Sequence, residues 1–124
     1  MAPFATNLYP CRVTSVTDGD TLVCEVDLGF RTHAEVQVRL LDAWCPETRT
    51  TDPTEKAAGL AAKGYTQIWV DGYQPGDVRW PLALRCEGKQ SFARWLGHIT
   101  CLPGRSLSAD LVAAGHATAQ KVAV

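Results

Sequence analysis

The sequence predicts a five-stranded β-barrel of the OB type, with one helix between the third and fourth strands and a short helix after the fifth. Short runs in which apolar and polar residues alternate predict the strands, and turn residues separate these runs. A longer run with helical spacing interrupts them after the third strand. A chain of 124 residues has room for one core, so we expect a single domain over residues 1–124.

The first two strands form a predicted hairpin. Residues 1–9 have no periodic pattern and are expected to be an irregular arm. Strands are predicted over 11–17 and 22–28, where apolar side chains alternate with polar ones. Asp18-Gly19 lies between the two runs and is a strong signal for a tight turn.

The third strand is predicted at about residues 34–43. Its alternation places Val36, Val38 and Leu40 on the core face. Arg39 falls on the other face, or at the mouth of the barrel. Three successive strands joined by short turns would leave edges that a closed barrel hides.

The inserted helix begins with clear capping signals. Asp52 is the predicted N-cap, Pro53 occupies the first helical position, and Glu55 completes a capping box. Lys56 and Lys63 are expected to point outward. One apolar stripe at intervals of three and four residues is the predicted core face; it consists of Ala57, Ala58, Ala61, Tyr65, Ile68 and Trp69.

The last third of the chain supplies two strands and a short helix. Strands are predicted over 78–86 and 93–101, the first of them carrying Pro81 and therefore an edge strand or a bulge. A helix is predicted over 107–114. Residues 116–124 are expected to be an extended tail.

Composition narrows the functional classes only slightly. With 46% hydrophobic and 20% charged residues, the chain has neither a disordered nor a fibrous composition. A net charge of -1 does not indicate a nucleic-acid binder, so attraction for phosphate would need local clusters of cations. The twelve cationic residues include more Arg than Lys, which suits bidentate phosphate binding but also fits a simple coding bias.

The cysteines and the terminus bear on the compartment. Five cysteines without a CxxC pair argue against a disulfide framework or a zinc site and favour reduced thiols. The chain as given carries no export signal and no apolar run of membrane-spanning length. We therefore expect a cytoplasmic protein without a membrane partner.

The segment 39–47 concentrates chemically useful groups. Arg39 lies within an apolar strand, where a guanidinium is costly unless it has a partner. Pro46 cannot continue a central ladder, and it is followed at once by Glu47. The guanidinium of Arg39 and the carboxylate of Glu47 are therefore expected at the same rim of the barrel.

Asp18, Asp20 and Arg94 could complete such a site. The two aspartates flank the turn glycine and are turn formers first and ligands second. Arg94 alone would be an ordinary surface cation, and Arg39 alone an ion-paired strand residue. Two guanidiniums with two or three carboxylates, however, are what a site needs to hold a phosphodiester and activate water.

Four short motifs occur in one order: Asp18-Gly19-Asp20-Thr21; Arg39-Leu40-Leu41 followed by Pro46-Glu47-Thr48; Phe92-Ala93-Arg94 with Leu96; and Ser108 to Ala117. Together they resemble motifs of the staphylococcal (micrococcal) nuclease family, also called thermonucleases. The resemblance covers most of the chain, and four motifs in order are far more specific than any one of them.

The resemblance implies a metal-dependent endonuclease that hydrolyses DNA or RNA with little sequence specificity. By it, Asp20 and the backbone carbonyl of Cys45 would bind Ca²⁺, and Glu47 would act as the general base or orient the water. Arg39 and Arg94 would hold the scissile phosphate and stabilise its charge in the transition state.

The resemblance also implies contacts with the polymer. Lys89 and Phe92 are the candidate substrate-binding residues. Phe92 and Trp95 are the aromatic rings available to stack on a base. The expected partners are DNA and RNA, with the protein acting as a monomer.

Trp44 departs from the family pattern, because it occupies the position of an acidic metal ligand. Asp42, two residues earlier, is the further metal-ligand candidate, provided that a bulge brings it in. The alternative function is an OB-type module that has lost catalysis and binds nucleic acid or protein through its groove. Trp44 is the feature that favours this alternative.

Overall fold

The structure is a computed structural model that describes residues 7–91, 94–101 and 104–120. Its five strands close into a barrel in the order β1-β2-β3-β5-β4, in which only β3 and β5 run parallel. This confirms the predicted barrel and is consistent with the OB fold. The strands are β1 (Leu8–Asp18), β2 (Thr21–Gly29), β3 (Thr32–Leu40), β4 (Leu82–Ser91) and β5 (Arg94–Cys101).

Two helices complete the domain in the predicted places. Helix α1 (Pro53–Tyr73) connects β3 to β4, and α2 (Leu107–Ala113) follows β5. Asp52 is the N-cap of α1, as predicted, and its carboxylate accepts a hydrogen bond from the backbone N–H of Thr54. In the part of the chain that the structure describes, neither helix is long and apolar enough to span a membrane.

Several strand boundaries differ from the predictions. The first strand begins at Leu8, inside the predicted arm, because it pairs there with Arg85 of β4. The third ends at Leu40 rather than 43, since Asp42 takes a left-handed φ of 60° that no strand continues. The fourth begins only after Pro81, which has no N–H to donate to a ladder.

Within the predicted tail, the backbone of Thr118 exchanges two hydrogen bonds with that of Trp44, so this part of the chain is held against the loop after β3. Residues 1–6 of the predicted arm and 121–124 of the predicted tail lie outside the described residues. The extended conformation predicted for the tail therefore stays untested beyond residue 120.

The core lies inside the barrel and beneath the two helices. Alternate residues of every strand point inward, as the period of two requires. Helix α2 covers one part of the core with Leu107 and Leu111, both fully buried. The largest fully buried barrel side chains are Leu22, Val38, Leu40 and Ile99, with the thiols of Cys11 and Cys24 between them.

The predicted core face of α1 is wrong at four of its six positions, whereas Trp69 is buried and Tyr65 packs against the core, as predicted. Ala57, Ala58, Ala61 and Ile68 are exposed, and Ile68 keeps 73% of its surface in contact with solvent. Small residues let the helix approach the barrel closely, which outweighs the pull of the larger apolar side chains. Besides Trp69, the buried residues of α1 are Gly59, Ala62, Thr66 and Val70, which were not predicted.

Helix α1 is fastened to α2 by a polar cluster. The indole N–H of Trp69 donates to Oδ2 of Asp110 at 2.8 Å, and Arg105 donates to both oxygens of the same carboxylate at 3.1 and 3.2 Å. Partial burial by itself would raise the pKa of Asp110, but the hydrogen bonds from Trp69 and Arg105 outweigh it and lower that pKa.

Asp110→Asn should therefore lower the free energy of unfolding by about 1 to 2 kcal/mol at neutral pH. The pKa of Asp110 is lower in the folded state than in the unfolded chain. The ionised carboxylate therefore stabilises the folded protein fully above the unfolded pKa of about 3.9, and this stabilisation is lost as the pH falls from there through the folded pKa. The check is urea unfolding of both proteins from pH 7 to pH 3. The difference between them should shrink at the acidic end, and a difference that stays constant with pH would contradict this account.

Candidate active site

The site forms where the β1–β2 turn meets the end of β3. Thr21 pairs with Arg39 across the antiparallel ladder, and the backbone N–H of Leu40 donates to the carbonyl oxygen of Asp20 at 2.8 Å. Residues about twenty positions apart in sequence are thereby placed side by side. The pairing fixes Asp20 and Arg39 as neighbours at one end of the barrel.

Asp20 and Arg39 form a buried ion pair. Their exposed fractions are only 7% and 6%, and Nη2 of Arg39 lies 3.4 Å from Oδ2 of Asp20. The Asp20 carboxylate also accepts hydrogen bonds from the Thr21 hydroxyl at 3.1 Å and from the backbone N–H of Cys45 at 2.9 Å. Its oxygens are thus largely occupied by donors of the protein itself.

The guanidinium of Arg39 is only partly satisfied. Its Nη1 donates to the carbonyl oxygens of Leu40 and Ala43, which ties the chain after β3 to the strand. Its Nη2 is buried and has no hydrogen-bond partner among the described residues. The ring of Trp44 covers the guanidinium, with its centroid 4.1 Å from Cζ of Arg39. Such stacking stabilises a desolvated cation.

Helix α1 supports the Pro46-Glu47 segment through a glycine. A Cβ added to Gly59 would lie 2.5 Å from the carbonyl oxygen of Glu47, so only glycine permits this approach. The turn between β1 and β2 meets the same helix, because a Cβ on Gly19 would lie 2.8 Å from Cβ of Ala62. The packing of α1 therefore determines where Glu47 stands relative to the turn.

Arg94 lies at the site because β5, which it begins, pairs in parallel with β3. It opens β5 opposite Gln37 of β3, and its Nε donates to Oε1 of that glutamine at 3.4 Å. Gln37 and Arg39 are two residues apart on one strand and so face the same side. The parallel contact therefore places Arg94 beside Arg39.

These side chains line one cavity of about 280 Å³. Five predicted site residues share it: Asp20, Arg39, Cys45, Glu47 and Arg94. Three further lining residues were not predicted from the sequence, and these are Thr17, Gln37 and Arg49. Gln37 could have been predicted, because it is two residues from Arg39 in β3 and so faces the same side. Arg49 could have been predicted because it follows Glu47 by two residues in the sequence. The cavity thus contains three guanidinium groups together with the carboxylates of Asp18, Asp20 and Glu47.

Other predicted site residues lie elsewhere or outside the described residues. Asp42 does not line this cavity; its carboxylate is largely exposed and pairs with Nε2 of His98 at 3.5 Å. Lys89 is exposed, with Nζ 5.5 Å from the ring centroid of Trp95, and does not line the cavity either. Phe92 lies outside the residues that the structure describes.

The residues present do not fit the Ca²⁺ site implied by the resemblance. Ca²⁺ takes six to eight oxygen ligands, several of them from carboxylates. Here the oxygens of Asp20 are engaged by protein donors, Trp44 occupies the place of a second carboxylate, and Asp42 points elsewhere. Across residues 7–91, 94–101 and 104–120, no group of three His, Cys, Asp or Glu side chains could hold a metal ion.

Cys45 lines the cavity but is a poor nucleophile. Burial, reinforced by the negative charge of Asp20, raises the pKa of the Cys45 thiol to about 12, although Arg39 acts in the opposite direction. At neutral pH the thiol therefore stays protonated. A protonated thiol is a weak nucleophile. The exposed carboxylate of the cavity is that of Glu47.

A second cavity of about 470 Å³ adjoins the first. Trp44, Cys45 and Glu47 line both, and Glu55 and His116 are among the other residues that line the second.

Comparisons with models of known protein families and with curated proteins find no match for this chain.

Proposed function

We propose that the protein hydrolyses phosphodiester bonds in DNA or RNA. The observation that carries the proposal is the shared cavity, in which Arg39, Arg94 and Glu47 from three separate parts of the chain meet. Removing charged groups from water costs free energy unless each of them has a partner, and a bound phosphate would be a partner for the guanidiniums. The resemblance of the surrounding motifs to the nuclease family supports the same assignment.

The two guanidiniums would bind the phosphate. Arg94 is half-buried, and among the described residues its hydrogen bond is the one from Nε to Gln37, which leaves its terminal nitrogens to donate to phosphoryl oxygens. Arg39 lines the same cavity and adds its positive charge to that of Arg94. Because the cavity excludes part of the solvent, these cations would stabilise the charge that grows on the phosphate in the transition state.

Glu47 would supply the base. Its side chain is exposed at the cavity wall, where its carboxylate can accept a proton from a water molecule. The water oxygen attacks phosphorus as the bond to the leaving oxygen breaks, and the leaving oxygen takes a proton from solvent. The resemblance implies that the 5′ P–O bond is the one broken, which would leave a 3′-phosphate.

A second candidate function is a binding module without catalysis. The specific observation in its favour is the set of contacts that Arg39 makes, because its guanidinium is stacked on Trp44 and donates hydrogen bonds to two backbone carbonyls. These contacts give Arg39 a structural role in addition to any role in ligand binding. The same cavity would then hold a phosphate of a nucleic acid and leave it intact.

Incubation with labelled single-stranded DNA and RNA separates the two candidates. Cleavage is followed with Ca²⁺, with Mg²⁺ and with a chelator, and binding is followed in parallel by fluorescence anisotropy. We expect cleavage of both polymers into fragments with 3′-phosphate ends. Binding without cleavage under every condition would refute the enzyme and support the module. Equal rates with Ca²⁺ and with chelator would show that the reaction does not need the calcium that the resemblance implies.

A further inference from the structure

Helix α1 carries an apolar stripe on the side that faces away from the barrel. Leu60 and Ile68 are 52% and 73% exposed, although both are large apolar side chains. Gly64 lies between them, about one helical turn from each, so the three positions follow one another along the same side of the helix. The five members of the stripe, all exposed, are Ala57, Leu60, Ala61, Gly64 and Ile68.

The stripe is opposite to the face that α1 buries. At 100° per residue, Gly64 points about 160° away from Ala62 and Thr66, which are both fully buried against the barrel. A solvent-facing helix normally carries polar residues at these positions and apolar ones toward the core. A contiguous exposed apolar surface of this kind is typical of an interface.

Small and large residues are arranged symmetrically about the centre of the stripe. Gly64 is central, and a Cβ there would meet no atom of the chain within 4 Å, so the approach to its backbone is open. Leu60 and Ile68 lie four residues to either side. If a second copy of α1 crossed antiparallel at Gly64, each Leu60 would meet the partner's Ile68.

Charge follows the same symmetry. Lys56 and Asp71 are both exposed and lie on one flank of the stripe, near its opposite ends. In an antiparallel pair related by a twofold axis, equal flanks meet, so Lys56 would lie opposite Asp71 of the second copy, twice per dimer. Asp71 already accepts a hydrogen bond from Gln67 through Oδ1, which leaves its other oxygen for the lysine.

We propose that two copies of this chain associate through the outward stripe of α1, as antiparallel helices that cross at Gly64. This differs from the monomer expected from the sequence. None of the described residues that line the cavity belongs to α1, so each copy keeps its site open and works independently. The interface is one helix wide, and the dimer should therefore be weak and dependent on concentration.

The test is sedimentation equilibrium over protein concentrations from about 5 μM to about 1 mM, the range in which weak dimers dissociate. The wild-type mass should rise from 13.5 kDa toward twice that value. Ile68→Glu should remain monomeric over the whole range. Since Ile68 is exposed in the single chain, its replacement should leave the thermal unfolding temperature of dilute protein unchanged.

A charge exchange tests the orientation. Lys56→Glu and Asp71→Lys, each made alone, should raise the dissociation constant about tenfold, and the double variant should restore it. The two residues are separated by about 22 Å along one helix, so coupling between them must act between copies. A wild-type protein that stays monomeric at every concentration would overturn the proposal. So would a dimer that tolerates Ile68→Glu, or a double variant no tighter than the single ones.

Discussion

Glu47→Gln should lower the rate of phosphodiester cleavage by about 100- to 10,000-fold, the contribution of a positioned general base. The amide keeps the size of the side chain but cannot accept the proton of the attacking water. Because Glu47 is exposed and accepts no hydrogen bond from the described residues, the change should leave the unfolding temperature within a degree or two. The measurement is single-turnover cleavage of labelled single-stranded DNA, with circular dichroism to follow the fold.

Glu55→Gln is the matched control for this substitution. Glu55 is also an exposed carboxylate, and it lines only the neighbouring cavity, where it accepts a hydrogen bond from the Thr50 hydroxyl at 3.4 Å. Glu55→Gln removes the same negative charge near Glu47 but outside the first cavity, and it should alter the cleavage rate less than threefold. Equal losses in both variants would indicate a general effect of charge on binding and remove Glu47 from the role of base.

Arg94 is a cleaner second probe than Arg39. Arg94 is half-buried and has one side-chain hydrogen bond to the part of the chain that the structure describes, whereas Arg39 is buried in an ion pair and donates to two backbone carbonyls. Arg39→Ala would leave Asp20 as an uncompensated buried charge and cost several kcal/mol of stability. Loss of activity in that variant would therefore say little about phosphate binding.

Gly59→Ala should reduce both stability and activity, although alanine is the better helix former. The added Cβ would lie 2.5 Å from the carbonyl oxygen of Glu47, so either α1 or the Pro46-Glu47 segment must move. Overpacking of this kind costs about 1 to 3 kcal/mol, against a gain of up to about 1 kcal/mol from helix propensity. A shift of Glu47 by about 1 Å would lower the cleavage rate about 100-fold.

Gly72→Ala provides the comparison. Gly72 is also in α1, but a Cβ there meets nothing within 4 Å. Its replacement should leave the cleavage rate unchanged and stabilise the protein by a few tenths of a kcal/mol up to about 1 kcal/mol. Urea unfolding and single-turnover cleavage of both variants decide the matter. A Gly59→Ala protein as active and as stable as its Gly72→Ala counterpart would show that α1 does not hold Glu47 in place.

Much of the fold could be predicted because local signals agreed with one another. Asp18-Gly19 predicted the first turn, Asp52 and Pro53 the start of α1, and alternation the inward face of the strands. The failures have physical causes. The periodicity of apolar residues in α1 predicted a face of which four positions are exposed, because Gly59 allows the helix to pack closely on the Pro46-Glu47 segment with a different face. Strand β3 ends earlier than predicted because Asp42 adopts a left-handed conformation.

By itself, the sequence determined the order of elements, the caps and turns, and the four motifs with their acidic and basic residues. These depend on spacing along the chain, which the backbone periods of helix and strand convert directly into structure. Only the tertiary structure decided that Arg39, Arg94 and Glu47 share one cavity, because this requires the parallel pairing of β3 with β5 and the close approach of Gly59. It also decided that Trp44 stacks on Arg39 and that the outer face of α1 stays apolar and exposed, since packing between distant segments determines both.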